Sequence, residues 1–99
     1  MPEPDDLRSR RLSVLSEQSA QDLDSAEGIL GLLTGRAAER LRLAREESEP
    51  DAESVAHWVA ESERYAELLR GVRKMTPEEL RRVVEQLGPV ARRSVEEGR

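Results

Sequence analysis

The sequence contains no cysteine, which excludes disulfide bonds and thiolate metal ligands. Phenylalanine is also missing, and the only aromatic residues are Trp58 and Tyr65. A core must therefore be built mainly from Leu, Val and Ala. Because a chain of 99 residues fits one domain and buries a modest share of its surface, we expect self-association or another partner to supplement this core.

Long apolar runs are missing as well. The longest, GILGLL at residues 28 to 33, is far shorter than the roughly 20 residues that a membrane-spanning helix needs. The opening MPEPDD lacks the basic start and apolar stretch of a secretory signal. We therefore expect a cytoplasmic protein with no membrane contact. A formal charge of -5 disfavours generic binding to phosphate backbones, although a local basic patch can override it.

The N-terminal half predicts two helices. Residues 1 to 5 are predicted to form a mobile tail because they contain two prolines and charged neighbours. A first helix is expected from about Asp6, where leucines recur at three- and four-residue spacing. Asp24 and Glu27 have the spacing of a capping box, which predicts a second helix from about 25 to 47.

The C-terminal half predicts two further main helices after the charged, proline-containing connection at 46 to 53. Apolar residues from 55 to 72 recur with nearly heptad spacing. Thr76 and Glu79 form another capping box, with proline at the first helical position. Gly88 and the following proline are expected to break or kink this last helix, which leaves a short helix at about 90 to 97.

These patterns predict an all-α fold for a single domain at residues 6 to 99. No segment has the alternation of a strand, and short connections favour antiparallel neighbours. We expect a small antiparallel bundle or a pair of helical hairpins, with four main helices and a kinked or broken C-terminal helix.

Gly28, Gly31 and Gly35 align at helical spacing, opposite the apolar face of the second predicted helix. Each glycine inside a helix costs about 1 kcal/mol relative to alanine. Their alignment indicates close approach of another helix, including one from a second subunit. The competing interpretation is that the regular helix begins only after Thr34.

Two groups of apolar residues are the other interface candidates. Trp58, Tyr65 and Leu69 are expected to anchor the core or an interface, because large aromatics concentrate burial energy. A second group lies outside the main apolar stripes and is expected at the monomer surface. Its members are Leu32, Leu43 and Leu68.

His57 is the only histidine and is expected on a helix exterior. Histidine-phosphotransfer domains also carry a histidine on the surface of a helical bundle. In VAHWVAES, however, Ala60 and Glu61 stand where that family has lysine and glycine, so an ordinary surface histidine is the favoured interpretation. One histidine makes an incomplete metal site, and we expect no metal and no cofactor.

Basic residues gather near the C-terminus. The segment RKMTPEELRRVVEQLGPVARRSVEEGR resembles a helix-turn-helix, with 76 to 87 as its first helix. The resemblance implies DNA contacts through four arginines. They are Arg81, Arg82, Arg92 and Arg93. Glutamates are interspersed among them at four-residue spacing, which is typical of a solvated and mutually neutralised face.

The leading functional prediction is a protein-protein interaction module, either a regulatory or an assembly adaptor, that includes self-association. The sequence offers no cysteine, no second histidine and no serine with a neighbouring base, so we expect no enzyme and assign no catalytic residue. A DNA-binding regulator that uses the C-terminal arginines is the first alternative. An antitoxin or an inhibitor of one protein target is the second.

Overall fold

Three α-helices make up the described part of the chain. The computed structural model describes the backbone of residues 4 to 97 and the side chains of residues 17 to 97. Its elements are α1 (Pro4–Glu46), α2 (Ala52–Gly71), a 3-10 turn (Val72–Lys74) and α3 (Pro77–Glu97), with no strand in that part. The all-α class is confirmed, whereas the prediction of four main helices is wrong. Residues 1 to 3 of the predicted tail lie outside the described residues.

The first correction concerns the predicted boundary at Asp24, because α1 runs through it without interruption. A capping box stabilises a helix start only where the chain enters a helix. No proline occurs between residues 5 and 49, and Leu23, Ala26 and Leu30 continue one packed face across the expected boundary. Tertiary packing of that face outweighs the local signal for a new start.

The second correction concerns Gly88 and Pro89, which do not end α3. Proline removes one backbone hydrogen bond and crowds the preceding turn, which disfavours a helix interior. Here Pro89 lies on the exposed side of the helix, and so does Glu85, whose carbonyl loses its helical partner and is open to solvent. Val83 and Ala91, on either side of the proline, are both buried, so packing holds the helix together across it.

The connection between α1 and α2 makes these two helices antiparallel. The chain leaves α1 after Glu46 and enters α2 at Ala52. The Asp51 carboxylate accepts a hydrogen bond from the Ser54 backbone N–H at 3.3 Å, and so caps the N-terminus of α2. Proline at position 50 keeps the connection out of helical geometry, as the sequence predicts.

Two ion pairs show that α3 runs parallel to α1. Near the start of α3, an Nη1 atom of Arg81 lies 3.2 Å from the Asp22 carboxylate. At the end of α3, Glu97 lies 3.6 Å from the Arg36 guanidinium. The carboxylate of Asp22 is 8% exposed and also accepts a hydrogen bond from Gln18, so a buried charge has two partners.

The core lies on one side of α1, where α2 and α3 both pack against it. The other two helices approach each other far less closely. Among the described side chains, Leu30 is the only large one that is wholly buried. The other buried members of the core are Ala26, Leu33, Ala37, Tyr65, Val72, Leu80, Val83 and Ala91. The core is thin and mainly aliphatic, as the composition predicts, with Tyr65 as its one buried aromatic residue among the described side chains.

The molecule is elongated. Its Cα atoms span 75 × 26 × 14 Å, with a radius of gyration of 18.6 Å. A compact chain of this length has a radius of gyration of about 13 Å. The length comes from α1, whose 43 residues extend about 65 Å. Much of the chain therefore lies close to the surface.

The capping box at the start of α3 is confirmed. The Thr76 hydroxyl accepts a hydrogen bond from the Glu79 backbone N–H at 3.2 Å, and the Glu79 carboxylate accepts one from the Thr76 N–H at 3.1 Å. Each bond satisfies a donor that the first turn of a helix leaves free. The pair fixes the point where the chain turns from Met75 into α3.

Replacing Thr76 by alanine is expected to lower the free energy of unfolding by about 1 kcal/mol, the usual loss on removing a capping hydroxyl. Urea denaturation followed by circular dichroism measures this change. Ser48→Ala is the matched control, because Ser48 is exposed in the α1–α2 connection and should tolerate the change. Equal losses in the two variants would show that the Thr76 hydroxyl does not stabilise α3.

The same box predicts a pH dependence. Hydrogen bonds donated by the Thr76 backbone and side chain lower the pKa of Glu79 below its ordinary value. A carboxyl with a lower pKa in the folded chain stabilises that chain above its unfolded pKa, and the contribution disappears as pH falls through the folded pKa. Glu79→Gln is therefore expected to flatten the decline of the unfolding free energy between about pH 5 and pH 3. Urea denaturation at each pH tests this, and an unchanged slope contradicts it.

Candidate functional site

An open groove of about 740 Å³ runs between α1 and α3. No residue of α2 contributes to its lining. The floor is formed largely by small and aliphatic residues, whereas the charged groups are few. The lining consists of Asp24, Ser25, Gly28, Ile29 and Leu32 from α1, and Val84, Gly88, Ala91, Arg92, Val95 and Glu96 from α3. This set of residues is called the α1–α3 groove below.

Two large apolar side chains of the groove are exposed. Leu32 is 38% exposed on α1, and Val95 is 45% exposed on α3. Leu43 is also exposed, at 44%, but it lies near the end of α1 and outside the groove. The surface positions predicted for Leu32 and Leu43 are therefore observed. Neighbouring exposed apolar groups around a concave surface are typical of a binding site.

The sequence does not predict the role of Val95, because the expected break at Gly88 separates it from the rest of α3. In one continuous helix, Val84, Gly88, Ala91 and Val95 recur at four- and three-residue spacing and so share one face. This spacing is present in the sequence. It indicates that the four residues form one stripe only if the helix continues through Pro89, which the sequence does not predict.

Gly28, Gly31 and Gly35 lie in regular helix and are exposed. The alternative of a helix that begins after Thr34 is therefore wrong. A Cβ added at any of the three glycines meets no atom within 4 Å, so no other part of the described chain approaches them. Residues 28 to 35 also form the longest run without a charged side chain. The face formed by the three glycines therefore carries no side chains and no charge, and no other described residue covers it.

The remaining interface candidates lie in or against the core. Tyr65 is 6% exposed, and Trp58 and Leu69 are half-buried against the core cluster. Leu68, which was expected at the surface, is also half-buried and packs against the same cluster. Trp58 and Tyr65 line a cavity together with α1, whereas Leu68 lines a cleft between α2 and α3. The structure does not bring any of these residues together with the α1–α3 groove.

A small cavity of about 200 Å³ lies where the three helices meet, with Tyr65 in its lining. Burial and a hydrogen bond with Glu61 raise the pKa of the Tyr65 hydroxyl. The Arg64 guanidinium lies 5.3 Å from the centre of the tyrosine ring. His57 is exposed beside this cavity, as predicted, and its ring contacts Trp58 edge-on with centroids 4.8 Å apart.

The four arginines of the DNA-binding alternative do not lie in a helix-turn-helix, because the expected turn is part of α3. Arg81 pairs with Asp22 and, at 3.2 Å, with Glu85. Arg82, Arg92 and Arg93 are exposed. On the helical wheel, Glu78, Glu85 and Glu96 fall between the two arginine lines of α3. The outer face of α3 therefore mixes both signs of charge.

The described residues contain neither a cluster of metal-binding side chains nor a membrane-spanning helix. No group of three or more His, Asp or Glu side chains in residues 17 to 97 is placed to hold a metal ion. No helix in residues 4 to 97 is long and apolar enough to cross a bilayer. Comparisons with protein families, curated proteins and solved structures find no match for this chain. The candidate site is therefore defined by its geometry alone.

Replacing Gly31 by alanine is expected to raise the free energy of unfolding by about 1 kcal/mol, the difference between glycine and alanine inside a helix. The added Cβ meets nothing within 4 Å, so no strain opposes this gain. Denaturation in urea at low protein concentration measures it. Gly71→Ala, at the last residue of α2, is the comparison and should gain less. A loss of stability at Gly31 would contradict an uncovered glycine face.

Proposed function

We propose that this chain is a helical interaction module, a regulatory or assembly adaptor, that binds another protein chain in the α1–α3 groove. The observation that carries the proposal is the apolar groove with Leu32 and Val95 exposed at its edges. Exposed apolar groups that adjoin on a concave surface are a common feature of protein-binding sites. Covering these groups removes apolar area from water, which drives association.

The dimensions of the groove suit a helix from the partner. Its lining on α3 extends from Val84 to Glu96, which corresponds to about 18 Å, or three turns of helix. A partner helix docks in such a groove through apolar anchors at three- and four-residue spacing. The groove is open to solvent and its polar groups do not converge on one point, unlike those of a typical small-molecule site.

The extent of the surface supports a binding role. The chain exposes 7647 Å², whereas a compact monomer of 11.2 kDa exposes about 5,700 Å². The excess is larger than the roughly 800 Å² that each partner contributes to a standard protein interface. A thin core of the kind seen around Leu30 also gains stability when a partner covers part of this surface.

Protein binding is favoured over DNA binding by the charges of α3. Glutamates lie between the arginine lines, and Arg81 is already paired with Asp22. A surface that binds phosphates needs a net positive patch. We propose binding and no catalysis, since Ser25 is the one hydroxyl residue that lines the groove and no carboxylate or histidine among the described side chains accepts a hydrogen bond from it.

Leu32→Arg is expected to abolish capture of a protein partner, because the change places a charge in an apolar contact. The test is affinity capture with the tagged full chain from a lysate of the source organism, with nuclease treatment, read by quantitative mass spectrometry. Leu43→Arg is the matched control, since Leu43 has a similar exposure outside the groove.

A partner retained by the wild-type chain and by Leu43→Arg, but lost by Leu32→Arg, supports the proposal. Equal recovery with all three chains contradicts it. Recovery that disappears with nuclease, and is lost in an Arg92→Glu and Arg93→Glu double variant, would instead support DNA binding.

A further inference from the structure

The α1–α3 groove carries features that match each other when two copies of the chain face one another. Leu32 projects from its edge, and the adjoining floor is formed by Gly28, Gly88 and Ala91. The floor beside Gly28 is open, because a Cβ added there meets no atom within 4 Å. The same surface therefore presents a projecting side chain and, next to it, a depression that allows another helix to approach closely.

We propose that a second copy of this chain occupies the α1–α3 groove, with the two α1 helices crossing antiparallel about a two-fold axis near Gly28. This proposal rests on the proposed function, and it specifies that the protein bound in the groove is a second copy of the same chain. A two-fold axis brings the same patch of both chains together, so one surface must be complementary to itself. In this arrangement, each Leu32 lies level with the partner's Asp24, four residues before Gly28, and enters the partner's groove beside Ser25 and Val84.

The charges at the rim agree with this axis. The ion pairs of Arg81 with Asp22 and of Glu97 with Arg36 set α3 level with α1. By that alignment, Arg92 lies level with about residues 31 to 33 of α1, given equal rise per residue in both helices. A two-fold axis at Gly28 places this level of one copy opposite Asp24 of the other copy, because each lies four residues from the axis.

Each Arg92 then faces the Asp24 carboxylate of the other copy. Both residues line the groove. Within residues 17 to 97, neither of them takes part in a salt bridge. Two such pairs, related by the axis, would set the register of the two chains and disfavour a parallel arrangement.

The available area also agrees with a dimer. The chain exposes about a third more surface than a compact monomer of its mass, 7647 Å² in total. A stable dimer buries about 800 Å² on each chain. Residues 28 to 35 of α1 carry no charged side chain, and an axis at Gly28 sets them against residues 21 to 28 of the other copy. Of the acidic residues there, Asp22 is paired with Arg81 and Glu27 with Arg73 in their own chain. Asp24 faces Arg92, so the contact buries no unpaired charge.

Sedimentation equilibrium of the full chain, from about 1 μM to 1 mM, tests the proposal. The wild-type chain is expected to reach a dimer within this range. Leu32→Glu should raise the dimer dissociation constant at least about tenfold, because a carboxylate enters an apolar contact. Leu43→Glu is the control and should leave the constant unchanged. Circular dichroism checks that every variant keeps its helix content.

Charge reversal tests the register. Asp24→Arg and Arg92→Asp should each weaken the dimer, because like charges then face each other across the axis. The double variant restores opposite charges and should recover most of the affinity. Recovery of affinity in the double variant identifies the Asp24–Arg92 pair. If each change merely damaged the fold, the two losses of affinity would add together in the double variant.

A chain that stays monomeric over the whole range overturns the proposal. So does a dimer that Leu43→Glu weakens as much as Leu32→Glu, or one in which the double variant is weaker than both single variants. A monomer that still captures another protein through Leu32 overturns self-pairing only and leaves the interaction module intact.

Discussion

The fold depends on a single buried stripe of α1. Ala26, Leu30, Leu33 and Ala37 supply the surface on which both α2 and α3 pack, and the two later helices have little contact without it. The alanines at the ends of the stripe are at most 1% exposed, so both neighbouring helices lie close to the α1 backbone there. Larger side chains at these two positions would push α2 and α3 outward. A core this small leaves few other contacts to compensate.

The same arrangement explains why one side of α1 is bare. Both neighbours pack against the stripe, so nothing in the described chain covers the opposite side, where the three glycines lie, and Leu32 is exposed at the edge beside α3. In a chain with 37% charged residues, an uncharged stretch on an exposed helix is unusual. Exposure to water alone does not explain why residues 28 to 35 lack charged side chains. The core and the α1 part of the candidate binding surface therefore lie on different sides of one helix.

How far the sequence predicts the structure depends on the range of each signal. The capping box of Thr76 and Glu79 acts within one helical turn, and it is correctly read from residue spacing. The identical spacing at Asp24 and Glu27 predicts a boundary that does not exist, because packing against α2 and α3 extends through it. In the same way, packing on both sides of Pro89 outweighs the local tendency of proline to end a helix, and α3 continues through it. The groove itself depends on α3 lying parallel to α1, and helical periodicity carries no information about that direction.

The parallel placement of α3 has a consequence for the order in which the helices assemble. α1 and α2 adjoin through a short connection, so their contacts close small loops and can extend stepwise from it. The contacts of α3 with α1, such as Arg81 with Asp22, join residues far apart in the chain and require the larger loss of chain entropy. We therefore expect the α1–α2 hairpin to form before α3 docks. In the native state, α3 would then be the first helix to detach, and its amide hydrogens would exchange sooner than those of α2.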